Sequence, residues 1–227
     1  MKWGTKLAEG RAAEIFEAGP GLVARVARRP VDYTREAEVM ELARRAGLPV
    51  PQVHSADGAV MILDRIDGPT MADTLQSRPW ELEQAARTLA ELHDRIHQIR
   101  PPGGALATSM VPGDRLLHLD LHPENVILSS DGPVVIDWAN AAVGDPRADL
   151  AMSWIIMSTS TLTTPWWTRH AAGAIRHTFV RRWLSQVDRA GARSVLRAVG
   201  AARVVDPNVT PEEAERVRRL VIRWATR

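Results

Sequence analysis

The sequence predicts an α+β fold, with a small β-rich N-terminal lobe over residues 1–67 and a larger, mainly helical C-terminal lobe over residues 68–227. Three observations predict it. Strand-length segments separated by glycine and proline turns fill the first third of the chain, and apolar residues recur at helical spacing from Pro69 onward. A length of 227 residues is also enough for one large domain or for two lobes that pack together, without disulfide staples.

In the first lobe, Lys6–Glu9, Ala13–Glu17 and Leu22–Ala27 are separated by Gly10 and by Gly19-Pro20-Gly21, the punctuation of hairpin-connected strands. A helix is expected over Tyr33–Ala46, because Val39, Leu42 and Ala46 recur at helical spacing and Gly47 with Pro49 ends the pattern. Val50–His54 and Ala59–Leu63, split by Asp57-Gly58, form a second expected hairpin. In the second lobe, Leu82, Ala86, Leu89, His93 and Ile96 share one face of a long helix that begins at Pro79 and ends before Pro101. The last helix is expected to use Thr210 as N-cap, Pro211 as first residue and Glu213 to complete a capping box, turning Val217, Leu220, Val221 and Trp224 inward.

The chain has no cysteine, which excludes structural disulfides, thiolate nucleophiles and Cys-based metal sites. Catalysis must run on oxygen and nitrogen groups. The opening residues lack an apolar targeting core, and the longest apolar stretch, around Leu150–Met157, is too short to span a bilayer; a cytoplasmic location without membrane association is expected. The net charge of +2 is unevenly spread: residues 151–227 carry 13 arginines against five acidic residues, a surplus of eight positive charges. These arginines are dispersed along helices, the pattern of solvated faces and not of a nucleic-acid arm.

Chemistry concentrates in Leu116–Leu128, a polar cluster between two apolar runs. After it, Ser129-Ser130-Asp131-Gly132 makes a turn, and Val134-Val135-Ile136 returns to deliver Asp137. A hairpin there brings Asn125 and Asp137 to the same end. An amide oxygen and a carboxylate facing one point suit Mg²⁺, a hard cation that takes a few protein oxygens and completes its shell with phosphate and water. Asp120, five residues before Asn125, stands where it can accept a proton from a substrate hydroxyl.

The spacing His118-Leu-Asp-Leu-His-Pro-Glu-Asn125, then Val135-Ile-Asp-Trp138, then Gly144-Asp-Pro-Arg-Ala-Asp-Leu-Ala151 resembles the aminoglycoside phosphotransferase and choline kinase superfamily, small-molecule kinases with a two-lobed, protein-kinase-like fold. The resemblance implies ATP and Mg²⁺ as cofactors and ATP in the cleft between lobes. It implies Asp120 as general base, Asn125 and Asp137 as metal ligands, and Asp149 as a structural brace of the catalytic loop. More weakly, Leu7–Ile15 with Gly10 resembles the phosphate-covering loop, and Asp64–Gly68 the hinge that receives adenine through the carbonyl of Asp64 and the amide of Ile66. Arg25 falls where a strand lysine grips phosphate, and Glu36 where a helix supplies that lysine's partner. The only lysines are Lys2 and Lys6, so Arg25 is expected to contact the phosphates and pair with Glu36, with Lys6 the next candidate.

The positive surplus from Ala151 onward disfavours a polycationic acceptor by Coulomb sign and favours a neutral or anionic hydroxyl compound, such as a sugar, a nucleoside-like antibiotic or another metabolite. A monomer or homodimer is expected, with no nucleic-acid partner. Other readings fit the residues less well. A nucleotide binder without catalysis is suggested by Arg25 and the sparse glycine loop, whereas a protein kinase would carry Asp-Phe-Gly and Ala-Pro-Glu, which this chain lacks. The alternation of His118, Asp120 and His122 would suit a metal hydrolase but leaves Asn125 unexplained. His93 and His97, at i and i+4, lack a zinc protease's glutamate and read as packing residues, and Trp166-Trp167 as core or interface anchors.

Overall fold

The structure is a computed structural model that describes residues 3–10, 12–104, 106–160 and 169–225. In chain order its elements are β1 (Lys6–Glu9), β2 (Ala13–Gly19), β3 (Leu22–Ala27), α1 (Thr34–Arg45), β4 (Val53–Asp57), β5 (Val60–Asp64), α2 (Met71–Ser77) and α3 (Leu82–His97). They continue with β6 (Arg115–Leu117), β7 (Val126–Ser129), β8 (Gly132–Val135), β9 (Ala142–Gly144), α4 (Pro146–Thr159), α5 (Arg169–Leu184), α6 (Arg189–Val204) and α7 (Pro211–Ala225). Two compact units result: Met1–Gly68 with Ile127–Ala139, and Pro69–Val126 with Asn140–Arg227.

The first unit is built on a five-stranded antiparallel sheet of order β1-β2-β3-β5-β4. Gly19 and Gly21 allow its tight β2–β3 turn, because both take left-handed φ values of 141° and 69° that side chains disfavour. Strand β4 starts later than the sequence predicts, since Pro49 and Pro51 leave this stretch short of ladder donors. Helix α1 buries Glu36, Val39, Met40 and Ala43, one face at helical spacing. Gly47, at φ 83°, ends the helix, and the Leu48 N–H returns to the Ala43 carbonyl. The β7–β8 hairpin joins this unit through the Val135 N–H, which donates to the Pro49 carbonyl at 2.8 Å.

In the second unit, α4 is buried almost all round, from Ala148 to Met157, so its sequence shows no clear polar face. Helix α3 follows a single 3-10 turn over Pro79–Glu81, where the sequence predicts the start of one long helix. Helix α2 escapes the periodicity argument because it has only seven residues; a capping box fixes it, Thr70 accepting from the Asp73 N–H and Asp73 from the Thr70 N–H. The equivalent box expected at α7 forms only in half. Thr210 Oγ1 accepts from the Glu213 N–H, but the Glu213 carboxylate is buried and takes Arg203 Nη2 at 3.0 Å. Helix α7 comes close to α6 at Gly200, where a Cβ would stand 2.5 Å from Val221 Cγ2. Among the described residues, no helix is long and apolar enough to cross a membrane.

Strands β6 and β9 pair antiparallel, Leu116 opposite Val143, and the loop before β6 runs back against the end of β9. Gly113 lies there: a Cβ on it would stand 2.3 Å from the Gly144 carbonyl carbon and 2.4 Å from the Asp145 nitrogen, both backbone atoms with little freedom to yield. Gly113→Ala is therefore expected to destabilise the protein by about 1–3 kcal/mol, the usual cost of overpacking. A lower urea midpoint would register it, and an unchanged midpoint would contradict the close approach.

Candidate active site

Within the second unit, the chain leaving β6 makes an abrupt reversal over His118–Asn125. Leu119 takes φ 60°, a left-handed conformation that costs a residue with a Cβ roughly 1–2 kcal/mol. Asp149, in the first turn of α4, offsets the strain: its Oδ1 accepts from the Leu119 N–H at 2.7 Å and its Oδ2 from the His118 N–H at 3.1 Å. The next residue is Asp120, whose own N–H lies 3.3 Å from His118 Nδ1. A 3-10 turn over Pro123–Asn125 then folds Asn125 back, so that its Nδ2 donates to the Asp120 carbonyl at 2.8 Å and to Asp120 Oδ2 at 3.3 Å. His122 completes the group, with Nε2 at 3.3 Å from Asn125 Nδ2 and 3.7 Å from Asp120 Oδ1.

Asp149 is fully buried, and burial raises a carboxyl pKa. The hydrogen bond and charge of His97 outweigh that effect and hold Asp149 well below the usual carboxylate range. A carboxylate only accepts, so His97 Nε2, 3.0 Å from Oδ2, is the donor. His97 therefore has a specific partner beyond packing. His93, one turn earlier, is an ordinary buried histidine. Its Nδ1 donates to the Leu89 carbonyl at 2.8 Å, which leaves Nε2 to accept from Ser153 Oγ at 3.0 Å. Among the described residues, no group of three or more His, Cys, Asp or Glu could hold a metal ion.

The first unit contains a second cluster. Arg25, on β3, donates through Nη1 to Glu36 Oε1 at 2.6 Å and through Nη2 to Asp137 Oδ1 at 2.9 Å, with its guanidinium 5.1 Å from the centre of the Tyr33 ring. Glu36 Oε1 also accepts from the Trp138 N–H at 3.1 Å, which ties α1 to the segment after β8. Asp137 itself is left-handed, at φ 63°. Burial pulls the Arg25 pKa down, but the Asp137 and Glu36 charges more than compensate, and the guanidinium stays charged. Burial, reinforced by Asp137, pushes the Glu36 carboxyl up despite Arg25.

The remaining expected residues lie apart from this cluster in the same unit. Gly10 donates to the Ala13 carbonyl at 2.8 Å. Lys6 is engaged at the surface by Glu9 and Glu14. Asp64 closes β5; its N–H donates to the Gln52 carbonyl and its carboxylate meets His54 Nε2, while Ile66 follows, half-buried, in the segment leading to Gly68. Trp166 and Trp167 lie outside the described residues. Three features went unread in the sequence: the left-handed Leu119, the His97–Asp149 bond and the reach of Arg25 to Asp137. Nothing in a leucine signals its φ, although a buried aspartate at a helix start with a histidine elsewhere hints at the pair.

The sequence profile of the phosphotransferase enzyme family matches residues 5–113 and 105–198. The chain belongs to this family. Among curated phosphotransferases, streptomycin 6-kinase of Streptomyces griseus is 28% identical over 167 residues, which cover 57% of this chain and 50% of that protein. Thiamine kinase of Salmonella paratyphi B is 31% identical over 81 residues, 36% of this chain and 28% of that one. The chain thus spans half or less of these relatives' length. Among solved structures, a thermostable mutant of aminoglycoside phosphotransferase APH(4)-Ia, in ternary complex with ADP and hygromycin B, is 19% identical with a TM-score of 0.66, over 96% of this chain and 92% of that one. That likeness establishes the α+β, protein-kinase-like fold of this chain.

The buried histidine makes stability pH-dependent. Burial lowers the His93 pKa from 6.5 to about 4. The neutral ring's contribution is complete above pH 6.5 and is lost as pH falls toward 4, because the unfolded chain takes up the proton first. The urea midpoint is expected to drop across that window and to drop less steeply in His93→Gln. Equal slopes in the two proteins would show that His93 does not contribute.

Proposed function

We propose that this chain is an ATP- and Mg²⁺-dependent phosphotransferase that moves the γ-phosphoryl group of ATP to a hydroxyl of a small molecule, with Asp120 as general base. The observation that carries the reading is the locked turn in which a buried carboxylate, Asp149, holds Leu119 left-handed and Asn125 grips the next residue, Asp120, at both carbonyl and carboxylate. Such a brace keeps one carboxylate in a fixed position, as proton abstraction requires. Asp120 orients the acceptor hydroxyl and takes its proton as the new O–P bond forms and the bond to the ADP oxygen breaks. Asn125, through its amide oxygen, and Asp137, through its carboxylate, are hard donors that fit Mg²⁺. The metal, when bound, neutralises triphosphate charge. In this reading residues 1–67 form the nucleotide-binding lobe, with Gly10, Arg25, Asp64 and Ile66 at the nucleotide and Glu36 holding Arg25. Residues 68–227 form the catalytic and acceptor-binding lobe, and the work is cytoplasmic, where ATP is supplied.

Streptomycin and thiamine appear in the relatives' names. For this chain the positive surplus of residues 151–227 supports a neutral or anionic hydroxyl acceptor. ADP release measured against a panel of sugars, nucleoside-like antibiotics and aminoglycosides tests both parts. Stimulation by a neutral or anionic compound is expected, and efficient kanamycin turnover would overturn the acceptor preference. Asp120→Ala should lower kcat by roughly 10²- to 10⁴-fold with little change in nucleotide binding; full activity in this variant would refute the base.

Arg25→Ala should raise the KM for ATP and lower kcat together, because the guanidinium serves the phosphates and holds Asp137. Arg25→Lys should recover only part, since one ammonium cannot reproduce a planar fork spanning two carboxylates over a tyrosine ring. Unchanged constants for Arg25→Ala would return the role to Lys6. Nucleotide binding without acceptor-stimulated ADP release, by calorimetry and coupled assay, would favour a non-catalytic binder.

A further inference from the structure

His97 ends on Asp149, the carboxylate that holds the turn leading into Asp120. We infer that His97 is a positioning residue for Asp120, acting through Asp149; the inference rests on the reading of Asp120 as the base. The chain of contacts is short and stays within one unit. His97, in the last turn of α3, donates from Nε2 to Asp149 Oδ2, and the same oxygen accepts the His118 N–H while Oδ1 accepts the Leu119 N–H. Asp149 is fully buried and His97 nearly so. Among the described residues the carboxylate has three donors: two backbone groups of the very turn it must hold, and one side chain anchored elsewhere.

That difference gives His97 its role. The His118 and Leu119 amides cannot fix the carboxylate plane independently, because they move with the turn. Among the described donors, the imidazole alone refers that plane to a separate helix. Leu119 sits in a conformation its side chain disfavours, so a carboxylate that can swing about its last bond releases the turn to ordinary φ values. Asp120 follows directly and would be displaced with it. His93 lies on the same helix, with ring centroids 5.8 Å apart, but its two ring nitrogens are engaged by the Leu89 carbonyl and Ser153 Oγ. It serves as the internal comparison.

The test combines exchange, kinetics and a measurement on the unaltered protein. In His97→Leu, amide exchange at His118 and Leu119 should accelerate by about tenfold or more relative to the rest of α3 and α4. The kcat should fall by about tenfold or more, a displaced group being costly, while the KM for ATP stays within about twofold. His97→Gln, whose side-chain amide can donate to the same oxygen, should recover most of both. His93→Gln should lower overall stability without selective loss of protection at Leu119. Should His97→Leu fail to fold, ¹⁵N shifts of the imidazole in the wild type decide: a proton on Nε2 is expected, and an Nδ1-only tautomer overturns the inference. Unchanged Leu119 exchange overturns it, as does faster exchange with an intact kcat, which would reduce His97 to a structural role. Equal turnover by wild type and Asp120→Asn would instead defeat the reading of Asp120, and with it the catalytic part of the inference, whatever the exchange data show about the turn.

Discussion

The turn that carries Asp120 depends on one buried negative charge. A carboxylate taken wholly out of water is costly, and it persists at Asp149 because every direction it faces is answered. The opening turn of α4 presents the positive end of a helix, two main-chain amides converge on its oxygens, and His97 closes the remaining side. Folding thus uses the carboxylate's demand for donors to force a backbone shape that leucine resists. The shape in turn presents the adjacent aspartate. Under the proposed role of Asp120, one buried group would serve both the stability of the turn and its chemistry.

The other unit uses the opposite sign in the same manner. Arg25 is a half-buried cation between two carboxylates, and the Glu36 oxygen it holds also receives the Trp138 amide. A lysine would offer a point charge at that place; the guanidinium offers two parallel donors and a flat face for Tyr33. The departure from the usual residue therefore comes with a changed geometry: one strand side chain fixes both a helix and the left-handed Asp137.

Much of this was legible in the residues. The β-strands of the first sheet, α1 and the long α3 follow from periodicity and from glycine and proline punctuation, since these elements are amphipathic and are stopped by residues with a clear steric role. The spacing from His118 to Asp149 located the turn that Asp149 braces. Where the reading stopped, the physics was non-local. Helix α2 is shorter than any periodic window and rests on its cap. Glu213 sits at a box position but answers Arg203, ten residues earlier in the chain, because its own buried carboxylate gains more from a charged partner than from a helix start. His97 looked like filler, as its partner is 52 residues away. The Leu119 conformation is imposed wholly from outside.

The grouping of Ile127–Ala139 with Met1–Gly68 has a consequence for biosynthesis. On the ribosome, the five-stranded sheet emerges early, but the β7–β8 hairpin that donates to Pro49, and the Trp138 amide that meets Glu36, arrive only after nearly sixty further residues have been translated. Until then Glu36 of α1 and Arg25 of β3 have each other without Asp137 or the Trp138 amide. The five-stranded sheet is complete in strands by then, but the first unit stays without its hairpin while α2 and α3 are made. Translation rate and chaperone access over that interval, more than the intrinsic speed of hairpin formation, would set how much of the chain reaches its native state.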